Sequence, residues 1–201
     1  MTRSRRLTIA IASAAIAVSA LAGCSSSTPG AAATLGDTRI SEQQLATEVQ
    51  TVLSAKGLPA NTADETLTQQ TLGRLITIDL LDTLAERNGV VVTQGMIDKQ
   101  FLAYDAQAGD RAALEKLFLD QNVAPSQLES IVRVQVQAQE LGKALAPNGT
   151  ADEQNQAVFE AASKLSEELG TTVSPRFGIW DPTALRINGV PSDLASPPAA
   201  E

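Results

Sequence analysis

Apolar residues recur at helical spacing along most of the chain between residues 41 and 169. In the strongest pattern they fall on one helical face, formed by Leu67, Leu72, Leu75, Ile76, Leu80 and Leu84. Ile78 and Leu81 widen this face, which predicts a central helix that packs against several neighbours. Weaker patterns of the same kind predict further helices, giving about six in all.

Capping residues predict where these helices begin and end. A Ser or Thr three residues before Glu or Gln forms a capping box, which favours a helix start. Four such motifs occur, at Ser41-x-x-Gln44, Thr62-x-x-Glu65, Ser126-x-x-Glu129 and Thr150-x-x-Glu153. Thr93 and Asp110 are expected to cap two more helices. Glycines beyond the periodic stretches predict helix ends near residues 55, 88, 108 and 169.

Two short segments at the ends of this helical region have the pattern of strands. Residues 34–40 predict a strand or hairpin around Gly36, and residues 172–180 predict a strand in which Pro175 lies at an edge or a strand start. Residues 90–92, three valines, predict a short buried connector. Because unpaired strand edges are costly, the two terminal segments are expected to pair with each other. The expected fold is mainly α, a bundle of about six helices closed by its first and last strands.

The N-terminus has the features of an export signal. Three arginines within residues 1–6 precede an apolar stretch that is too short to span a bilayer comfortably. Residues 21–24 (LAGC) resemble the lipobox of bacterial lipoproteins. This resemblance implies cleavage between Gly23 and Cys24, a diacylglycerol on the Cys24 thiol and an acyl chain on its new amino group. The alternatives are an ordinary signal peptide with an incidental cysteine, or an uncleaved anchor.

Cleavage there would leave a chain attached to the outer face of the cell membrane through its lipid. The expected organisation is a signal peptide over residues 1–23, a flexible tether over 24–33, a folded domain over 34–182 and a disordered tail over 183–201.

Composition excludes several classes of function. The formal charge is −8, and removing three arginines with residues 1–23, which contain no acid, leaves 12 basic against 23 acidic residues, or −11. Such acidity argues against nucleic acid as a partner. The chain has one cysteine and no histidine, which excludes an internal disulfide, His-based nucleophilic catalysis and zinc sites built on His or several Cys.

Nucleotide binding and catalysis are not expected either. No Gly-rich phosphate-binding loop occurs in the sequence. An enzyme built on paired carboxylates is a further possibility, but pairs such as Glu167-Glu168 are adjacent on a helix and point in different directions. We therefore predict a protein that is not an enzyme and holds no metal and no cofactor besides the lipid on Cys24.

Three segments resemble the substrate-binding N-terminal domain of the SurA, PrsA and trigger-factor-like chaperones. LGDTRISEQQL at residues 35–45 is similar to the opening turn and first helix start of that family. NGVVVTQGMIDKQF at residues 88–101 is similar to an internal turn into a helix, and VSPRFGIWDP at residues 173–182 is similar to the closing strand. The resemblance covers roughly residues 34–182 and implies a helical domain whose first and last strands pair.

The chain departs from that family pattern in two places. Gly36-Asp37 replaces the usual Asn-Gly or Asp-Gly of the first turn. SurA and PrsA usually carry a parvulin prolyl isomerase between the fifth and last helices, where this chain has only residues 147–151. Parvulin sites also use histidines, which are absent here. The resemblance therefore implies a chaperone module without isomerase activity.

The function that this resemblance implies is an ATP-independent holdase for unfolded exported polypeptides. Phe101, Tyr104 and Phe118 are candidate peptide-binding residues in a groove between helices, with packing of the core as the alternative role for them. Trp180 is expected to be structural. A second hypothesis is an envelope-assembly or scaffold lipoprotein with one specific protein partner.

Overall fold

A computed structural model describes residues 30–189 of the chain. The predicted signal peptide, the cleavage between Gly23 and Cys24 and the lipidation of Cys24 lie outside the described residues. Most of the predicted tether and the end of the predicted tail lie outside them as well.

Six helices and five short strands make up the described part. The helices are α1 (Glu42–Ala55), α2 (Glu65–Arg87), α3 (Gln94–Ala108), α4 (Arg111–Asp120), α5 (Leu128–Leu145) and α6 (Ala151–Glu168). The strands are β1 (Ala31–Leu35), β2 (Thr38–Ser41), β3 (Thr172–Val173), β4 (Ile179–Asp181) and β5 (Arg186–Asn188). The prediction of a mainly α fold with about six helices is confirmed.

The two strand segments that flank the helices pair with each other as the sequence predicts, through β1 and β3. β1 forms an antiparallel hairpin with β2 and pairs on its other side with β3, in the order β2-β1-β3. Thr34 lies opposite Thr172, and their hydroxyl oxygens are 2.8 Å apart. At the hairpin tip, the N–H of Gly36 donates to the carbonyl of Leu169 at 2.9 Å. The two ends of the helical region are therefore joined by backbone and side-chain hydrogen bonds.

Gly36 explains how the unusual first turn is accommodated. Its φ is +54°, a left-handed conformation that glycine adopts at little steric cost, whereas Asp37 is not in that conformation. Hairpin turns with glycine at the first central position have this property. Gly36-Asp37 therefore forms a two-residue turn between β1 and β2 despite its departure from the family pattern.

Three of the six predicted helix starts are confirmed by capping hydrogen bonds. The hydroxyl of Ser41 accepts from the N–H of Gln44 at 3.0 Å, and the carboxylate of Asp110 accepts from Ala113 at 2.8 Å. Thr150 and Glu153 form a reciprocal capping box. Thr93 occupies the predicted N-cap position of α3 without a side-chain capping bond.

Two predicted capping boxes are wrong. Thr62 lies in a preceding turn, and Asp64 caps α2 instead, because its carboxylate accepts from the N–H of Leu67 at 2.8 Å. Pro125 begins a single 3₁₀ turn in which the side-chain oxygen of Gln127 accepts from the N–H of Ala124. α5 therefore begins at residue 128 with Gln127 as its N-cap, one residue later than the Ser126 motif predicts.

The boundaries of the folded domain are wider than predicted. Ala31, Ala32 and Ala33 were expected in the flexible tether, but they form β1 and are buried. Residues 186–188 were expected in the disordered tail, but they form β5 and pair with β4. Small alanine side chains and a short polar strand give little hydrophobic signal, so the sequence pattern underestimates the domain at both ends.

Two local predictions also need correction. Residues 172–180 do not form one strand, because Pro175 has no N–H for a ladder and begins a 3₁₀ turn between β3 and β4. The connector at residues 90–92 is not uniformly buried, since Val91 is largely exposed. Val90 packs against the main core and Val92 against the smaller cluster around Ile97, so only the middle valine of the connector faces solvent.

The main hydrophobic core lies around α2, which packs against α1, α5 and α6 as the width of its apolar face predicts. Leu72, Ile76 and Leu80 are completely buried in this core. Trp180 from β4 joins it with 8% of its surface exposed, and its indole N–H donates to the hydroxyl of Ser166 at 2.8 Å. This position agrees with the structural role predicted for Trp180.

Candidate functional site

Helices α3 and α4 form an arm, defined as residues 94–120, that shares a small hydrophobic core, the arm cluster, with the start of α5. Gly109 separates the two helices with a φ of +105°, and Asp110 begins the second of them. The buried residues of this arm cluster are Ile97, Leu114, Leu128 and Val132, and they form a group separate from the main core. The arm therefore packs on α5 through a limited set of apolar contacts.

The three candidate peptide-binding aromatics all belong to the arm cluster. Phe101, Tyr104 and Phe118 are half-buried and pack against its buried residues. The ring centroids of Tyr104 and Phe118 are 6.3 Å apart at an interplanar angle of 49°. All three side chains thus pack in the arm and keep part of their surface accessible, so the peptide-binding role stays a prediction.

Phe101 also lines an open cleft where α3, α4 and the start of α5 meet. The cleft has a volume of about 380 Å³, and its lining residues are Gln94, Asp98, Phe101, Leu102, Arg111 and Glu129. Leu102 is 71% exposed there and lies next to Phe101, so the two side chains together offer apolar surface to solvent. The cleft therefore presents aromatic and aliphatic surface within a polar rim.

Arg111 is held in a fixed position at the edge of this cleft. Its Nε and Nη2 donate to the two carboxylate oxygens of Asp105 at 2.8 Å each. Its guanidinium carbon lies 4.2 Å from the ring centroid of Phe101. The hydrogen bonds from Arg111 hold the pKa of Asp105 below its usual value, and those to Asp105 raise the pKa of Arg111. The arginine thus covers one part of the Phe101 ring.

The far end of the arm is tied to the body of the domain by a group of polar contacts. Asn122, in the turn after α4, has a φ of +64° and donates from its side-chain amide to Gln70 at 2.7 Å. Arg74 of α2 donates to the carbonyl of Asn122 at 3.0 Å, and Lys56 donates to its side-chain oxygen. Burial lowers the pKa of Arg74. These contacts fix the arm relative to α1 and α2.

A second, smaller cleft of about 210 Å³ lies beside α1. Leu45 and Val49 of α1 contribute its apolar lining, and Phe177 lies on its other side. An ion pair between Arg176 and Glu42, with the two atoms 2.6 Å apart, borders it. This cleft lacks a strongly exposed leucine of the kind that Leu102 supplies to the arm.

Sequence patterns identified part of the arm site and missed the rest. Phe101 was predicted as a candidate residue and does line the cleft. Leu102 and Arg111 were not singled out, although both line it. A signal for Leu102 was present, since it directly follows Phe101 and only one of two adjacent helix positions can face the arm cluster fully. Arg111 reaches Phe101 only through the turn at Gly109.

The fold of the described residues already defines a class of protein. None of the helices within residues 30–189 is long and apolar enough to cross a bilayer. The fold and site define a helical domain that is closed by strands from its two ends and carries an arm with accessible apolar surface.

The chain belongs to the SurA-like N-terminal domain family, whose model matches residues 2–142. This range includes β1, β2 and helices α1 to α4, with most of α5. Comparison with curated proteins and with solved structures gives no match. Membership of this family supports a chaperone-like role in protein folding, with polypeptides as binding partners.

Proposed function

We propose that this protein is a membrane-anchored, ATP-independent holdase that binds unfolded exported polypeptides through the cleft of the arm. The observation that carries the proposal is the exposure of Leu102 beside the partly covered ring of Phe101 in an open cleft. Burial of such surface by an apolar segment of a client is favourable and needs no fixed hydrogen-bonding pattern. Weak, exchangeable contacts of this kind suit the capture of many different sequences.

The architecture of the domain supports this mode of binding. Unfolded chains expose apolar segments that aggregate, and a protein that binds them lowers the concentration available for aggregation. The arm cluster supports Phe101 and Leu102 on a helix, so the binding surface is formed before a client arrives. Because the cleft is open, a client segment can enter from solvent without prior unfolding of the domain.

The remaining parts of the proposal concern location and chemistry. Lipid attachment at Cys24, with cleavage after Gly23, would hold the domain at the extracytoplasmic face of the cell membrane and near newly exported chains. Helices α5 and α6 are joined by residues 146–150 alone, which is the site of the isomerase insertion in SurA and PrsA. We therefore propose holdase activity without prolyl isomerisation and without bound nucleotide.

Aggregation of a chemically denatured enzyme, diluted into buffer with the full-length chain, tests this function. Light scattering should fall by more than about half at a severalfold molar excess of the chain. Leu102→Ser should raise the amount of chain needed for this protection about fivefold, because it removes apolar surface from the cleft. Since Leu102 is exposed in the free protein, its replacement should leave the thermal unfolding temperature almost unchanged.

Ile179→Ser provides a matched control for this test. Ile179 is 54% exposed and lies on β4, outside the arm. The control variant should protect the client as well as the unaltered chain does. Equal loss of protection in both variants would remove the arm as the binding site, and no protection by the unaltered chain would remove the holdase function. Binding to one folded partner alone would favour the scaffold hypothesis.

A further inference from the structure

The charges around the arm cleft differ in whether they already have partners. Arg111, the one basic side chain among the residues that line the cleft, is engaged on both sides, by the carboxylate of Asp105 and by the ring of Phe101. Its positive charge is thus largely offset within the arm. An acidic client group would have to compete with a two-bond contact that already exists.

The acidic side chains that line the cleft differ from Arg111, because their charge is not offset by an ion pair within residues 30–189. Asp98 accepts a hydrogen bond from the side-chain amide of Gln94 at 3.0 Å, a neutral donor. Glu129 lies in the first turn of α5. Among residues 30–189, neither Asp98 nor Glu129 takes part in an ion pair. Both carboxylates are exposed and can accept a cation from a bound segment.

The arm as a whole also carries more acidic than basic side chains. Residues 94–120 contain five acidic and three basic side chains, a net charge of −2. Of the three basic residues, Lys116 is paired with Asp120 at 3.3 Å, in addition to the pairing of Arg111. Lys99, the third, is exposed and follows Asp98 in the chain; with all three bases counted, the arm keeps an excess of two acidic groups, which attracts cationic segments and repels acidic ones during encounter.

We infer that the arm cleft selects polypeptide segments in which an apolar side chain is adjacent to lysine or arginine. The apolar side chain covers Phe101 and Leu102, and the neighbouring cation lies against Asp98 or Glu129. This inference rests on the proposed holdase function and adds a substrate class to it. Acidic apolar segments are correspondingly poor ligands of the same cleft.

Three labelled peptides of about twelve residues, identical except for lysine, glutamine or glutamate beside the apolar positions, test the inference by fluorescence anisotropy with the full-length chain. At low salt the lysine peptide should bind about fivefold more tightly than the glutamine peptide, and the glutamate peptide about fivefold more weakly. In about 0.5 M salt these differences should shrink below roughly twofold, because exposed charges are screened.

Asp98→Asn combined with Glu129→Gln should remove the preference for lysine while leaving the affinity for the glutamine peptide unchanged. Glu160→Gln combined with Glu167→Gln removes two exposed charges from α6 and should preserve the preference. Binding of the glutamine peptide with no charge preference, or a preference that survives Asp98→Asn with Glu129→Gln, would overturn the inference and leave the holdase function standing. Failure of all three peptides to bind would overturn both.

Discussion

Replacing Trp180 by alanine is expected to lower the free energy of unfolding by about 3–5 kcal/mol, the range for large aromatic residues removed from a core. Trp180 is almost fully buried in the main core, and it connects β4 to α6 through its bond to Ser166. The change would leave a cavity and an unpaired hydroxyl on Ser166, which is 1% exposed. Because the chain has one tryptophan, urea unfolding should be followed by far-ultraviolet circular dichroism rather than fluorescence.

Trp180→Phe separates packing from hydrogen bonding at the same position. Phenylalanine retains most of the apolar volume and loses the N–H, so we expect a loss of about 1–2 kcal/mol. Ser166→Ala combined with Trp180→Phe removes both partners and should cost little more than Trp180→Phe alone. A loss below about 1 kcal/mol for Trp180→Ala would show that the C-terminal hairpin contributes little to the domain.

A disulfide between residues 34 and 172 is expected to stabilise the domain by about 2–4 kcal/mol. The hydroxyl oxygens of Thr34 and Thr172 face each other at 2.8 Å across the β1–β3 pair, although the residues are 138 positions apart in sequence. Closing so long a loop reduces the conformational entropy of the unfolded chain. The variant is Thr34→Cys with Thr172→Cys in a chain whose Cys24 is replaced by serine, measured by urea unfolding with and without a reducing agent.

The reduced form of the same variant is the control and should differ little from the parent chain. Mass spectrometry should show loss of two hydrogen atoms when the bond forms under mild oxidation. Failure of the cysteines to pair in the folded protein would mean that β1 and β3 are not adjacent, and the closure of the domain by its two ends would then be wrong.

Hydrophobic spacing and capping residues predict the helices well because both are local properties. Ser41, Asp110 and Thr150 cap the helices that their positions indicate, and α3 has the bounds expected from Thr93 and Gly109. The Thr62 motif failed because Asp64 offers a capping oxygen closer to the apolar stretch. Local pattern alone does not decide which of two nearby capping residues makes the bond.

Elements that depend on contacts distant in sequence are harder to predict. Three consecutive alanines resemble a linker, yet Ala32 is completely buried, because β1 is the middle strand of its sheet. The second hairpin depends on Gly178, which has a φ of +122° and approaches the carbonyl of Asn188 so closely that a side chain would clash there. Neither environment can be derived from the residues beside it in the chain.

The candidate site likewise has some features that local sequence predicts and others that depend on contacts distant in sequence. An aromatic residue at position 101 on a helix is visible in the sequence, and so is its adjacency to an aliphatic residue. The exposure of Leu102 depends on which face of α3 packs on α5, and the engagement of Arg111 depends on the turn between α3 and α4. Sequence patterns therefore indicate the apolar components of the site, whereas its open side and the balance of charge around it require the fold.

Site-specific photo-crosslinking tests the central claim that unfolded clients bind at the arm. A photoreactive amino acid placed at residue 102 of the full-length chain should crosslink to a denatured client on irradiation, and the same probe at residue 179 should give little product. Excess unlabelled client should compete for the product at residue 102. Equal crosslinking at both positions, or crosslinking at residue 179 alone, would contradict the assignment of the arm cleft as the polypeptide-binding site.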